Sequence, residues 1–452
     1  MSRNTPDNPL GRVSTAKLLR QFAIPSIIAM LVTSLYNIVD QFFIGNSVGS
    51  LGNAATNITF PLSICCVATA LLFGIGGAAA FNISAGRGDK EKAATYMGNA
   101  LMMLLLCGLV MFLITELFLE PLLRFFGSPE NVLGYAITYT RITAFGFPFV
   151  IFSTGGGGHL VRADGRPNIT MLCNLTGALI NVVLDALFVF ILHWGMTGAA
   201  LATVIGQFVN FLLSVYFLCH CQTVTLQRKH LILHRSTVST IMSLGTAPCV
   251  NQLAMMVVQI VMNNSLKYYG ARSVYGEAIP IACAGIISKV NMVFMSFIIG
   301  ISQGMQPITS FNYGAHRYDR VKSAYRQAIS AGGIIAVIAF LLFQFAPMQI
   351  IRIFGNGSPE YFRFSVNYFR IFLFFTFINF VQPITSNFFT SIAKPKVGTF
   401  LSLTRQIIYL LPLLILLPLY FGIDGIMYAG PIADFFAVAT TLVMITRQLR
   451  SM

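Results

Sequence analysis

Charge is scarce in this chain. Only 10% of its 452 residues are Asp, Glu, Lys or Arg, against about 25% in a soluble domain. Acids are scarcest: 14, against 29 Lys and Arg, for a net charge of +15. So little polar surface cannot cover a soluble protein, which excludes that class. Cysteine supplies no disulfide framework. Six of the eight (Cys65, Cys66, Cys107, Cys173, Cys249 and Cys283) lie in apolar runs, as small buried hydrophobes do. The CHC triplet at Cys219 to Cys221 has no second half for a metal site and reads as a span end meeting a loop. HExxH and GxxxxGKS/T are absent. Their absence removes the usual zinc-hydrolase and nucleotide-binding signatures. No short apolar core with a small-residue cleavage site opens the chain, so the first apolar block is expected to be retained.

What is present is long apolar sequence. Hydrophobic residues make up 56% of the chain, and crossing a bilayer takes roughly 20 of them in a row. Twelve blocks of that kind are expected as helices: 18–44, 58–82, 95–120, 133–155, 168–192, 197–219, 240–267, 279–308, 326–346, 362–388, 398–421 and 425–446. The fold class is therefore an all-α integral membrane protein of twelve transmembrane helices. The basic residues are distributed by topology rather than for nucleic acid. With the N-terminus inside, 20 of the 29 fall in cytoplasmic segments, among them Arg87, Lys90, Lys92, Arg228, Lys229, Arg317 and Arg320. That bias predicts both termini in the cytoplasm and a multi-pass protein of the inner (plasma) membrane.

The chain also repeats itself at an offset of about 228. RFFGSPE at Arg124 to Glu130 echoes RIFGNGSPE at Arg352 to Glu360. DGRP at Asp164 to Pro167 echoes AKP at Ala393 to Pro395, and GMTG at Gly195 to Gly198 echoes GIDG at Gly422 to Gly425. Each half holds six spans, so both enter from the same side and are related by a pseudo-two-fold axis along the membrane normal. The expected units are an N-lobe over 1–222, a cytoplasmic linker over 223–239 and a C-lobe over 240–452. Two equal bundles about a central cavity suit alternating access. Pro25 and Pro248 hold matching places in the first and seventh spans and are candidate hinges.

Three acids lie well inside spans: Asp40, Asp185 and Asp434. An ionisable group at that depth suggests function. Asn181 and Asp185 are four apart, on one face of the fifth span, and Thr203 offers a hydroxyl at similar depth. With Asp40 they make an all-oxygen set. Such a set suits Na⁺ or a proton shared between carboxylates, not zinc or copper. The alternative is that these groups only bridge helices by hydrogen bonds. Asp434 has Arg405 as a candidate partner. The run Gly155 to Gly158 is expected to loosen the end of the fourth span, and no sequence pattern explains it.

These features resemble the multidrug and toxic compound extrusion (MATE) family over essentially the whole chain. FAIPSIIAMLVTSLYNIVDQFFIG from Phe22, GIGGAAAFNISAGRGD from Gly74 and RADGRPNITMLCNLTGALINVVLD from Arg162 carry the likeness. The buried acids resemble the DinF-like branch with its MepA-type exporters. That resemblance implies cation coupling by Na⁺ or H⁺ at Asp40, Asn181, Asp185 and Thr203. NorM-like members use acids in the seventh and tenth helices. Here those helices read NQLAMMVVQIVMNNSL and FFTFINFVQPITSNFF, without an acid. The implied activity is antiport of amphiphilic, often cationic drugs, with a lipid or lipid-linked oligosaccharide flippase as the alternative. Tyr36, Phe60, Met255, Met256, Gln259, Met262, Lys289 and Met292 are candidates for the substrate cavity, since ring faces attract cations and Met surfaces adapt. The expected partners are small molecules, a monovalent cation and membrane lipid. The chain is expected to act as a monomer, without nucleic acid and without any cofactor beyond the coupling ion.

Overall fold

The computed structural model describes residues 8–276, 278–353 and 358–452. Arg3 of the first basic cluster and part of the RIFGNGSPE motif lie outside them. The described residues form helices joined by short turns. The membrane helices are α1 (Thr15–Ser47), α2 (Ser50–Gly86), α3 (Lys90–Leu117), α4 (Glu130–Phe145 with Phe147–Ala163), α5 (Pro167–Ile191), α6 (Gly195–Cys219), α7 (Arg235–Ala271), α8 (Ala278–Gly314), α9 (Tyr318–Phe345), α10 (Pro359–Ser391), α11 (Pro395–Phe421) and α12 (Ile423–Ser451). Eleven are long and apolar enough to cross a membrane unbroken. The two parts of α4 meet at 51° and together make the twelfth. Most helices run several residues beyond the apolar blocks, because polar ends continue the hydrogen-bond ladder into water.

The matched motifs of the two halves are turns with special backbone. Gly165 and Ala393 both adopt positive φ (89° and 56°), immediately before the helices that Pro167 and Pro395 open. Proline suits that first position, where its missing N–H has no helical partner anyway. Gly195 and Gly422 are a second such pair (53° and 59°). The repeat is legible in sequence because these turns restrict the residue allowed.

The first six membrane helices pack into one bundle and the last six into another. The linker is fastened to the first bundle. The Asp164 carboxylate accepts from the backbone N–H groups of Gln222 (2.9 Å) and Thr223 (2.8 Å). The Asn99 side chain donates to the carbonyls of His230 and Ile232 and accepts from the N–H of His234. The CHC triplet forms no metal site among the described residues. The Cys221 thiol donates to the Leu218 carbonyl (3.0 Å), and burial pushes its pKa up to about 12, away from the thiolate a metal needs.

The bundles meet along α1 against α8 and α2 against α7. A methyl group at Gly245 would overlap the Leu72 carbonyl, and one at Gly76 the Ile241 carbonyl. Gly304 abuts Ala23, Gly300 abuts Ile27, and Gly86 and Gly314 press on the backbone of Phe311 and Ile83. Further along α1 and α8, near mid-helix, the hydroxyls of Ser34 and Ser296 bond at 2.7 Å. The glycine contacts lie in the half of the molecule that carries the N-terminus. There the short helix Pro9–Arg12 is clamped to the other lobe. Arg320 donates to the carbonyls of Leu10 (3.0 Å) and Val13 (2.5 Å), Arg317 to that of Gly11, and Asn312 to that of Leu10 (3.0 Å). In the far half Leu35, Met255 and Met292 are exposed. The lobes thus seal one end and leave a cleft at the other.

The Gly155–Gly158 run packs rather than loosens. It begins in a π-helical turn, Ile151–Gly157, and its members press on Ala70, Leu104, the Phe152 carbonyl and Thr170 in turn. Gly74 of α2 meets Gly156 backbone to backbone.

Candidate functional site

Asp40 lies on α1, one helical turn beyond Tyr36 in the stretch LYNIVD. Both point away from the other lobe. Ile27 and Ser34 face α8, and Tyr36 is two residues past Ser34, about 200° around the helix. Tyr36 and Asp40 therefore turn into the first bundle, where α1 packs on α5. There the Asp40 carboxyl comes within hydrogen-bond reach of Asp185.

Asp185, Asn181 and Thr203 are all buried. Asn181 donates from Nδ2 to Thr203 Oγ1 at 3.3 Å, which fixes α5 against α6 and aims its Oδ1 the other way. Four buried acceptors then have no donor: Asp40 Oδ1, Asn181 Oδ1 and both oxygens of Asp185. Two carboxyls can hydrogen-bond only if one carries a proton. If both are ionised they repel, unless a cation lies between them. The donor set is all oxygen and fits a hard monovalent cation or shared protons. Among the described residues no cluster of three His, Cys, Asp or Glu side chains offers a transition-metal site.

Tyr139 of α4 is a further member, close enough to Asp40, Tyr36 and Asp185 to feel their charge. Sequence reasoning misses it. Its only signal is its place in TYTRI, and a tyrosine in a helix is usually a packing residue. Tyr36, a cavity candidate, turns toward this site, on the same face of α1 as Asp40.

The other cavity candidates divide. Met255, Met292 and Phe60 are exposed, while Met256, Gln259 and Lys289 are half-buried. Phe60 lies off the stripe by which α2 faces the second lobe. Met262 is a correction: it is buried in the second bundle, where the Tyr368 hydroxyl approaches its sulfur at 3.9 Å. Its sequence neighbours on α7 are less buried, and one helical position separates cleft from core. Asp434 pairs with Arg405 at 2.5 Å, both largely buried, so that ion pair is internally neutral. Both α1 and α7 run through Pro25 and Pro248 as single helices.

The MatE family model matches residues 25–187 and 248–416, one stretch in each half. The chain belongs to the MatE family. Members are transporters rather than enzymes, and this chain is a multi-pass membrane transporter. The multidrug export protein MepA of Staphylococcus haemolyticus is 24% identical over 93% of this chain and 91% of its own length. A multidrug resistance MATE family transporter of the MOP superfamily, solved in an outward-facing conformation, superposes with a TM-score of 0.91 at 22% identity, covering 99% of each chain. A MOP superfamily transporter from Pyrococcus furiosus gives the same TM-score and identity. The two-lobed fold of this MatE transporter is thus that of solved MATE proteins.

Proposed function

We propose that the protein is a cation-coupled antiporter that exports small amphiphilic compounds across the plasma membrane by alternating access. The observation that carries this reading is the group of four buried oxygen acceptors without a donor at Asp40, Asn181 and Asp185. It lies in one lobe, between α5 and α1, and the opposite face of α1 forms part of the seal between lobes. H⁺ or Na⁺ entering from outside binds there and draws α1 toward α5 and α6. The movement changes the face that α1 presents to the cleft, and the substrate leaves outward. The sealed end is the cytoplasmic one, in keeping with its basic residues. Likeness to proteins named for multidrug export supports the substrate class.

The energetics are adequate. One charge falling through ~100 mV releases about 2.3 kcal/mol, which sustains roughly a 50-fold gradient of an uncharged substrate; for a monovalent cation exchanged one for one the potential term cancels. A chemical gradient of the cation adds to it.

The test is export of fluorescent amphiphiles, cationic and anionic in parallel, from proteoliposomes under a Na⁺ gradient and separately under a pH gradient. Wild type is expected to export under at least one of them. Asp40→Asn and Asp185→Asn are expected to lose the gradient-driven part, a fall of about tenfold or more, the counterpart of ~1.4 kcal/mol of lost coupling. Variants that match wild type would mean that the acids only brace the helices.

A further inference from the structure

The second lobe carries a charged feature of its own, on the face it turns to the first. Lys289 of α8 lies on the stripe that faces α1. That stripe is fixed by Gly304 against Ala23, Gly300 against Ile27 and Ser296 bonded to Ser34. Lys289 is seven residues before Ser296, two helical turns on along the same face. It therefore projects beyond the Ser34–Ser296 bond, toward the cleft. It is half-buried, and no ion pair or hydrogen bond holds its ammonium group among the described residues. An ionisable side chain at membrane depth faces a watered cavity, not lipid.

The neighbouring helix continues the pattern. On α7 the stripe that meets α2 at Gly245 passes through Gln252, Met256, Gln259, Asn263 and Lys267. Gln259 donates to Asn263 at 3.0 Å. Toward the end of α7, Lys267 borders a hollow of about 390 Å³ with Asn264, Tyr268, Ala271 and Arg272; the Arg272 guanidinium, off the stripe, lies 3.5 Å above the Tyr268 ring. From Arg235 to Gly314 the sequence holds a single acid, Glu277, which lies outside the described residues. The acid pair of the first lobe is turned away from the cleft, as Tyr36 and Asp40 face α5.

We propose that this wall binds the anionic group, carboxylate or phosphate, of a single-chain amphiphile. Lys289 holds the group, and Lys267 attracts it. The amides of Gln252, Gln259 and Asn263 donate to it, while Met256 and Met292 take up the apolar chain. The inference rests on the transport reading, in which the cleft is the substrate's chamber, and it sharpens the substrate class. Cation and substrate then occupy opposite lobes and do not compete for one carboxylate.

The test is equilibrium binding to the full-length protein in detergent, so it does not depend on transport. The probes are a dansyl-labelled alkyl carboxylate, the matched alkyl phosphate and the matched trimethylammonium. Wild type is expected to prefer the two anions to the cation by roughly tenfold. Lys289→Gln should abolish the preference, Lys289→Arg should keep it, and Lys267→Gln should weaken it less. Retention by Lys289→Arg guards against a folding effect in Lys289→Gln. Equal binding of anion and cation by wild type, or an unchanged preference in Lys289→Gln, overturns the proposal. So does binding of phosphatidylglycerol alone, which would make the wall a bilayer-lipid contact. Failed export with intact anion preference would instead count against the transport reading.

Discussion

At the scale of single residues, Asp434 faces the Arg405 guanidinium, whereas Asp40 faces a second carboxyl, that of Asp185. The first pair is neutral as it stands; the second needs a proton or a cation. The contrast gives a prediction. Asp434→Asn strands the Arg405 guanidinium in a buried site, so it should lower stability by roughly 3 kcal/mol. Replacing both partners by apolar residues of similar volume should recover most of that loss. Thermal unfolding of the two variants in detergent measures the difference, and equal losses would show that packing rather than charge is at stake. The acids themselves are legible in the sequence, because hydrocarbon penalises them and apolar residues frame them. What each acid does depends on the group opposite, which the sequence does not carry. Tyr139 is illegible for the same reason: its approach to Asp40 is set by how α4 packs.

At the scale of helices, twelve spans can be read from apolar length, and the matched turns from their restricted backbone. The glycines cannot be read. Gly155 to Gly158 would loosen an isolated helix, yet here Ala70 leaves no room for a side chain at Gly155, nor the Phe152 carbonyl at Gly157. The neighbour is supplied by the fold, so local sequence is silent about it. The same logic governs the seal. Gly245→Ala places a methyl group on the Leu72 carbonyl, a backbone atom that cannot turn aside. The expected penalty of about 1–3 kcal/mol falls on the sealed state. Cysteines introduced at Ser34 and Ser296, whose oxygens are 2.7 Å apart, should cross-link readily in the parent and several-fold less with Gly245→Ala added.

For the whole molecule, the two lobes are joined covalently by a linker fastened to one of them, and otherwise by the seal. The strongest polar part of that seal is the clamp on Leu10, Gly11 and Val13. Hydrogen bonds from a charged donor contribute about 1.5–3 kcal/mol each. Arg320→Ala should therefore free the segment ahead of α1 and favour opening at that end. Amide hydrogen exchange over residues 10–13 should speed up by roughly tenfold or more, while exchange within α5 and α6 stays unchanged. Faster exchange throughout the chain would instead signal general unfolding.

The one-ended seal also gives the protein a shape. Lobes joined at one end and parted at the other form a wedge, broader in one leaflet than in the other. In the proposed alternating-access cycle, reversing the opening reverses the taper, and each turn of that cycle would displace lipid area from one leaflet to the other. The balance between the two states then depends on the lateral pressure of each monolayer, and the bilayer itself becomes a weight on the conformational equilibrium.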